Sequence, residues 1–544
     1  MPPATASPRI PAGPGTRATT SPASPATPTT HAETIMSRDR PPTPAYPNPP
    51  RLRVTPAGDP RRDRPKPLGV SAAGELIGLR VADARHHVHV QGVTGTGKST
   101  WLAHQVLAEA DAGRGVVLLD CQGDLASHVL DRLPAHAGRR LVIIDPAETQ
   151  APPAWNVLAP TRHTAGVEAR EQAAENVIGT FRKLYTAWWG PRMDEVFRAA
   201  CLTAARRPTA TLLDVVAVLT QPAFRRQLLI EHGEPEGLDG FWNAFDTLTD
   251  SQRHQLCGPV LSRLRSVLSR QFARDLLGAP GSTIDLGQIL DGGILLARLP
   301  KGEIGENTAQ LVGSLLLSGL WWAATGRSAQ PPEQRLDATV VVDECHNFLH
   351  LPIGMDDTLA EARGYRLCLV LAHQHSTQLA PDVRDAVDAN ARTKILFTVS
   401  PTDATRLERH VTPYLDADDL ARQPGYHVTA RTMHHSHHAP PCTLTTEPLP
   451  DPVPGRAEAL RDAARRRTGL PVEHRAATRH QQRLATAPGG DAIRHSNQTA
   501  ISVRHSPSHS PSPSTSRSPS HSERDGERDT PPWPTPQVAP GTEE

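Results

Sequence analysis

The stretch Gly92–Ser99 reads GVTGTGKS and fits the phosphate-loop pattern G-x-x-x-x-G-K-[ST] at every fixed position. Its surroundings fit too, because residues 86–90 (HHVHV) alternate like a strand and residues 99–112 have the apolar spacing of a helix. The alternative is an ordinary glycine-rich turn. A chance match to the phosphate-loop pattern is rare in this chain, because the pattern requires a lysine and the sequence contains few of them. The feature therefore predicts a strand, a phosphate-binding turn and a helix.

Each residue type in this loop has a physical role. Small residues at Gly92, Gly95 and Gly97 let the backbone wrap a phosphate with its N–H groups pointing inward, and the helix that follows adds a positive dipole end. Lys98 is predicted to reach the β- and γ-phosphates, and the Ser99 hydroxyl to coordinate Mg²⁺. The predicted nucleotide-binding residues are Gly92, Val93, Thr94, Gly95, Thr96, Gly97, Lys98, Ser99 and Thr100.

The strongest apolar runs after the loop are short and lie between helical segments. They read GVVLLD, LVIID, GILLARL, ATVVVD, LCLVLA and KILFTV. Alternation of such runs with helices is typical of a mostly parallel sheet covered by helices. Helical patterning dominates from about residue 165 to residue 277. The predicted fold is therefore an α/β, RecA-like P-loop NTPase with an all-α insertion.

Composition divides the chain further. Both ends are dense in Pro, Ser, Thr and Arg and lack apolar periodicity, which is typical of disorder. The predicted organisation is a disordered basic arm (1–66), a first ATPase part (67–164), an all-α insertion (165–280), a second ATPase part (281–440) and a disordered tail (441–544). The arm has ten basic and four acidic residues, so it either contacts nucleic acid or an acidic membrane surface, or is a solvated linker.

The sequence has no clear signal for secretion, membrane insertion or disulfide formation. The six cysteines form no C-x-x-C pair, which favours reduced thiols, and the N-terminus lacks the apolar stretch of a secretory signal. The most apolar window, residues 311–324, is too short to span a bilayer and predicts a buried core helix. We expect a cytoplasmic protein, which partner proteins could hold at the inner face of the membrane.

A second half of the site is predicted at residues 339–344, which read TVVVDE. A strand ending in Asp-Glu suits a phosphate loop, with Asp343 holding Mg²⁺ and Glu344 orienting or deprotonating the attacking water. Gln374 ends the next strand and would sense the γ-phosphate. Arg363, between those strands, could stabilise transition-state charge in a neighbouring subunit. The alternatives are ordinary strand-end polar residues and a surface arginine.

These motifs, in this order, resemble the HerA/FtsK superfamily of ring-forming ATPases, and within it the conjugative coupling proteins of type IV secretion. The resemblance covers about residues 75–430. It rests on GVTGTGKS, LLDCQGDL, LVIIDP followed by WNVL, WWGPRMDEVFRAA, LPKGEIGENTAQLVGSLLLSGLW, VVVDECHNF, LAEARGYRLCLVLAHQHSTQL and DAVDANARTKILF.

The resemblance implies a homo-hexamer that binds ATP and Mg²⁺ between subunits and threads DNA through its channel, with relaxosome or type IV secretion components as protein partners. It implies that Lys98 and Ser99 bind nucleotide, that Asp343 and Glu344 form the acidic pair, that Gln374 is the sensor and that Arg363 acts in trans. The all-α insertion would engage DNA or cargo.

The sequence departs from this family in two places. Relatives usually have N-terminal transmembrane helices, and Cys121-Gln122 stands where they commonly have Pro-His. Three functions remain open at this point. They are an ATP-driven DNA translocase in conjugation or plasmid transfer, a secretion ATPase acting on protein cargo, and a nucleotide-bound assembly scaffold.

Overall fold

The apolar runs that surround the phosphate loop form the centre of one large sheet. The computed structural model describes residues 49–160 and 166–475. The strands in these residues are β1 (Lys66–Val70), β2 (Leu76–Leu79), β3 (Val88–Gln91), β4 (Gly115–Asp120), β5 (Leu141–Ile144), β6 (Ile294–Arg298), β7 (Ala338–Val342), β8 (Leu367–His373), β9 (Thr393–Leu396), β10 (His427–Arg431), β11 (Met433–His434), β12 (His437–His438) and β13 (Cys442–Thr445).

The helices divide into those that cover the sheet and those of a separate run. In chain order they are α1 (Val81–Ala84), α2 (Lys98–Asp111), α3 (Asp124–Leu130), α4 (Val167–Leu184), α5 (Pro191–Ala205), α6 (Leu212–Thr220), α7 (Pro222–His232), α8 (Phe241–Thr247), α9 (Asp250–Leu268), α10 (Gln271–Leu277), α11 (Leu286–Leu290), α12 (Lys301–Ile304), α13 (Glu306–Thr325), α14 (Met355–Ala362), α15 (Pro381–Asn390), α16 (Pro401–Leu407), α17 (Ala417–Ala421) and α18 (Arg456–Thr468).

Eleven of the strands form one sheet in the order β2-β1-β13-β10-β9-β3-β8-β7-β4-β6-β5. From β9 to β5 every neighbouring pair is parallel. The four strands beyond β9 extend the sheet with antiparallel pairs. The predicted α/β class with a mostly parallel central sheet is therefore confirmed, and the antiparallel extension is a feature that the sequence did not reveal.

Both faces of the parallel part are buried, as its continuous apolar runs require. Along β4, Val117 and Leu119 face one core, whereas Val116 and Leu118 face the other. Helices α2, α3 and α18 cover the second face, and α13 with the helical run covers the first. Because successive strand residues point to opposite faces, a run without polar positions is what a two-sided core needs.

Helices α4 to α10 follow one another without an intervening strand in the described residues between β5 and β6. Capping boxes begin two of them, at Thr211 and Thr249, which satisfies backbone N–H groups in the first turn. The rings of Phe181 and Phe197 join α4 to α5, with their centroids 4.9 Å apart. The helical pattern of residues 165–277 is thus observed, while the boundaries of an insertion domain stay a prediction.

The apolar window at 311–324 lies within α13, whose side chains are largely buried beneath the sheet. It is a core helix, as predicted. Among residues 49–160 and 166–475, none of the helices combines the length and apolar character needed to cross a membrane.

The prediction of disorder from residue 441 onward is wrong for residues 441–475. Strand β13 pairs with both β10 and β1, and α18 packs against β5 through Leu460 and Ala464. The arginines that made this segment look solvated are paired instead, with Arg461 on Asp145 and Arg465 on Glu148. Composition alone does not predict this ordered structure, because the carboxylates that pair with these arginines lie 316 and 317 positions away in sequence.

The predicted disorder of the N-terminal arm is also wrong where the arm is described, at residues 49–66. The guanidinium of Arg62 is buried and donates to the carbonyl oxygens of Thr55 and Pro56 at 2.6 and 3.0 Å. The backbone of Leu52 donates to Gln288 Oε1 at 2.8 Å. The remainder of both predicted tails, residues 1–48 and 476–544, lies outside the described residues.

Candidate nucleotide-binding site

Three neighbouring strands end at the predicted site. Strand β3 leads into the glycine-rich loop, β7 leads into Asp343 and Glu344, and β8 leads into Gln374. The sheet order places β3, β8 and β7 side by side and parallel. Since the carboxyl ends of parallel strands meet at one edge, segments far apart in sequence converge there.

The loop has the backbone that its glycines permit. Gly95 and Gly97 have φ of 84° and 105°, a region that other residues seldom adopt. At Gly92, a Cβ atom would lie 2.4 Å from Cβ of Phe397, so no larger residue fits without movement. The loop is thus held as an open turn, and Thr94, Gly95 and Ser99 are exposed at its rim.

Lys98 begins α2 and its side chain is buried. Its Nζ lies 2.7 Å from Glu344 Oε1. The same carboxylate oxygen accepts a hydrogen bond from Gln374 Nε2 at 2.9 Å, and Gln374 Oε1 accepts one from Thr94 Oγ1 at 3.1 Å. Four of the predicted residues therefore form one hydrogen-bonded chain that leaves the loop at Thr94 and returns to it at Lys98.

Glu344 has an unusual backbone for a non-glycine residue, with φ of 47°. Asn347 Nδ2 stabilises this turn by donating to the Glu344 carbonyl oxygen at 2.8 Å. Burial alone would raise the pKa of the Glu344 carboxyl, but the charge and hydrogen bond of Lys98, aided by Gln374, outweigh it and lower the pKa. Glu344 is therefore ionised at neutral pH. Within the described residues its second oxygen, Oε2, makes no hydrogen bond.

Asp343 is buried beside this pair, and its Oδ1 accepts a hydrogen bond from the Glu344 backbone N–H at 3.1 Å. Burial raises the pKa of its carboxyl to about 7, with Lys98 opposing the rise and the charges of Glu344 and Asp120 adding to it. A buried carboxylate at a strand end and the hydroxyl of Ser99 are hard oxygen donors of the kind that Mg²⁺ takes alongside phosphate oxygens. The residues present fit that ion.

Comparison with known proteins supports this interpretation of the fold. Residues 72–240 match the family model described as the type IV secretion-system coupling protein DNA-binding domain. A trigonal crystal form of the bacterial conjugative coupling protein TrwB, in complex with sulphate, superposes with a TM-score of 0.52 at 16% identity, covering 76% of this chain and 99% of that one. An unbound monoclinic form gives 0.51 at 18% identity, covering 74% and 96%. This is the fold of a type IV coupling protein.

A third solved structure is the plasmid coupling protein TrwB in complex with ADP and Mg²⁺, with a TM-score of 0.50 at 18% identity, covering 76% of this chain and 98% of that one. No curated protein sequence matches the chain. The likeness to the coupling proteins is therefore one of fold over nearly their whole solved length, at low sequence identity.

The coupling-protein fold does not bring Arg363 to this site. Arg363 follows α14, is exposed, and precedes the amino end of β8, whereas Gln374 follows the carboxyl end. Seven residues of strand at about 3.3 Å each separate the two edges by about 20 Å. Arg363 lies instead near the start of β3, where its charge adds to burial in lowering the pKa of His86. Arg363 is out of reach of the phosphate loop of its own chain.

Two residues next to the site were not predicted from the sequence. Asn347 holds the Glu344 turn, and its Nδ2 lies 3.6 Å from Cys121 Sγ. An amide three positions after a strand-end acid is a signal for such a turn, though a weak one. Nothing in the sequence around Cys121 predicts that it lies next to the site. Burial raises the pKa of its thiol to about 12, so it is an uncharged neighbour that packs beside Asp343 and Glu344.

Proposed function

We propose that this chain hydrolyses ATP, bound with Mg²⁺ at residues 92–100, and couples hydrolysis to the movement of DNA in conjugative or plasmid transfer. The observation that carries the proposal is that Lys98 and Gln374 both donate to Glu344 Oε1 beside the loop, at 2.7 and 2.9 Å. A scaffold that only binds nucleotide has no use for an ionised carboxylate fixed at this point.

The roles of the residues follow from their positions. The loop N–H groups and Lys98 would hold the phosphates, and Ser99 and Asp343 are the residues that would hold Mg²⁺, which neutralises developing charge on the phosphates. Glu344 is ionised, and its buried Oε2, 3.7 Å from His346 Nδ1, makes no hydrogen bond among the described residues, so we assign this oxygen to orient a water molecule and accept its proton. Gln374 keeps the carboxylate in place and, through Thr94, links it to the loop.

Assembly into a ring, with six subunits as in the resemblance, is part of the proposal. Arg363 is exposed at the edge of the sheet opposite to its own phosphate loop. An arginine that completes a site from a neighbouring subunit has to lie away from its own site, and a head-to-tail contact that closes produces a ring. The position of Arg363 therefore supports an assembly in which each nucleotide lies between two subunits.

DNA is favoured over protein as the cargo by the match of residues 72–240 to a coupling-protein DNA-binding domain. The fold likeness to a conjugative coupling protein supports the same choice. The helices α4 to α7 lie entirely within the matched residues, so we place the DNA contact in this part of the chain.

An ATPase assay of the purified full chain, with and without single- and double-stranded DNA, tests the proposal. We expect DNA-stimulated hydrolysis that is lost in Lys98→Ala and retained in Arg466→Ala, which removes an exposed cation on α18, outside the matched residues. Mass measurement in the presence of ATP should report a closed oligomer. Stimulation by a protein partner but not by DNA would replace the DNA cargo with a protein cargo, and slow hydrolysis that no ligand changes would contradict the motor function.

A further inference from the structure

An aromatic side chain lies against the phosphate loop and is not explained by the roles above. A Cβ atom on Gly97 would lie 2.8 Å from Cδ1 and 3.3 Å from Cε1 of Tyr426. The ring of Tyr426 therefore packs directly on the last glycine before Lys98. About half of the residue, 51%, is nevertheless exposed to solvent.

The backbone fixes Tyr426 in this place. Its N–H donates to the Thr96 carbonyl oxygen at 2.8 Å, and its own carbonyl oxygen accepts from the N–H and hydroxyl of Thr446 at 2.8 and 3.0 Å. Tyr426 has φ of 65°, which is unfavourable for a bulky residue and persists only where the surroundings impose it. An exposed ring held on a strained backbone is typical of a binding position rather than of core packing.

The sheet order gives the direction in which a bound nucleotide would extend. Glu344 and Gln374 reach the loop from β7 and β8, on one side of β3. Tyr426 reaches it from the start of β10, beyond β9 on the other side of β3. A triphosphate whose terminal phosphate faces Glu344 would therefore direct its ribose and base toward Tyr426.

We propose that the ring of Tyr426 stacks on the purine base of the nucleotide held by the loop, an inference that rests on the proposed nucleotide site. A purine presents a flat π surface, and base–aromatic stacking does not depend on the identity of the base. Tyr426 thus contributes affinity for the nucleoside part of the ligand without selecting adenine over guanine. The close packing of the Tyr426 ring on Gly97 fixes the position of the ring relative to the phosphate loop.

Binding measurements that separate the base from the phosphates test this role. The probes are ATP, GTP and inorganic tripolyphosphate, each with Mg²⁺, titrated calorimetrically into the full chain. For Tyr426→Ala we expect roughly ten- to a hundredfold weaker binding of both ATP and GTP, with tripolyphosphate unchanged. Tyr426→Phe keeps the ring and should restore nucleotide affinity. The control is Tyr414→Ala, which removes another exposed tyrosine and should change nothing.

Each other outcome overturns the inference in its own way. If Tyr426→Ala weakens ATP and tripolyphosphate equally, the ring supports the loop and does not contact the base. If it leaves ATP binding intact, the ring has no part in the site. Retained tripolyphosphate binding also shows that the variant is folded at the loop. A wild-type chain that binds neither tripolyphosphate nor ATP would overturn the nucleotide site itself, which is a different result from a stacking failure.

Discussion

Lys98 Nζ and Glu344 Oε1 lie 2.7 Å apart although 246 positions separate the two residues in sequence. Both side chains are more than nine-tenths buried. The ammonium group that should hold a phosphate is therefore also the group that keeps the carboxylate ionised. A phosphate oxygen at the loop would compete with Glu344 for this ammonium group, which ties nucleotide binding to the state of the candidate general base.

Glu344→Gln should separate binding from hydrolysis. The amide keeps the shape of the side chain but cannot accept a proton, so we expect hydrolysis to fall by about 10²- to 10⁴-fold. ATP should bind at least as tightly, because one negative charge next to the phosphates is gone. Single-turnover hydrolysis and calorimetric titration measure the two effects. Glu168→Gln, an exposed acid on α4, is the matched control. Equal losses of affinity and rate would contradict the assignment.

The buried ion pair should be visible in stability. Lys98→Met leaves the Glu344 carboxylate buried without its cation, and we expect a loss of about 3 kcal/mol in the free energy of unfolding. Adding Glu344→Gln should recover most of that loss, since no unpaired charge then remains. Urea unfolding of the two single variants and the double variant measures the coupling. Costs that simply add would show that the two side chains do not stabilise one another.

Arg363 should act across a subunit boundary. Arg363→Ala and Lys98→Ala are each expected to abolish hydrolysis, but a co-expressed mixture should regain activity. In such a mixture about a quarter of the interfaces would pair an intact loop with an intact arginine. Hydrolysis rates of the purified mixed assembly provide the measurement. An inactive mixture that still assembles would place the arginine outside the neighbouring site. Arg384→Ala, on α15, serves as the control.

The fold should lose stability in mild acid because of His87. This buried ring contacts the Leu359 carbonyl oxygen through Nε2 at 2.7 Å and accepts the Leu369 N–H at Nδ1 at 3.1 Å. A protonated ring cannot accept, and burial lowers the pKa of His87 to about 4 from 6.5. Between these values the unfolded chain binds a proton that the folded chain does not, so stability rises with pH across the window and is lost as pH falls through it.

The expected size of that loss is about 3 kcal/mol from this residue between pH 6.5 and 4. His87→Gln offers an amide in place of the ring and removes the titration. Urea unfolding at several pH values should therefore give a shallower pH dependence for the variant than for the wild type. Parallel curves for the two proteins would assign the acid sensitivity to other groups.

Much of the site could be predicted from the sequence because its signals are local. The phosphate loop, the Asp343–Glu344 strand end and Gln374 each stand at the end of an apolar run, and strand ends of a parallel sheet converge. Local patterns do not state which strands are neighbours. The contact of Lys98 with Glu344, and the absence of a hydrogen bond at Glu344 Oε2 among the described residues, depend on the order β3-β8-β7, which only the folded chain shows.

The antiparallel extension was missed for a related reason. Strands β1 and β13 meet at Val70 and Thr445, and neither strand is long or strongly apolar. Each is stabilised by its neighbouring strand and by burial of one leucine, Leu68 or Leu444, in the same core, not by its own composition. The same is true of α18, whose arginines find their carboxylates on distant segments. Residues 441–475 are therefore predicted to be part of a disordered tail when only their composition is considered, although they are ordered in the folded chain.

Strand β8 places Gln374 at one end and Arg363 just before the other. The strand is hydrogen-bonded on both sides, to β3 and to β7, which holds its two ends at a fixed separation. In the proposed ring, Gln374, which we propose contacts one phosphate, and Arg363, which we propose reaches the neighbouring subunit, would move together because the same strand connects them. ATP hydrolysis at one subunit interface would then affect the timing of hydrolysis at the adjacent interface. The subunits would hydrolyse ATP in sequence and not independently of one another.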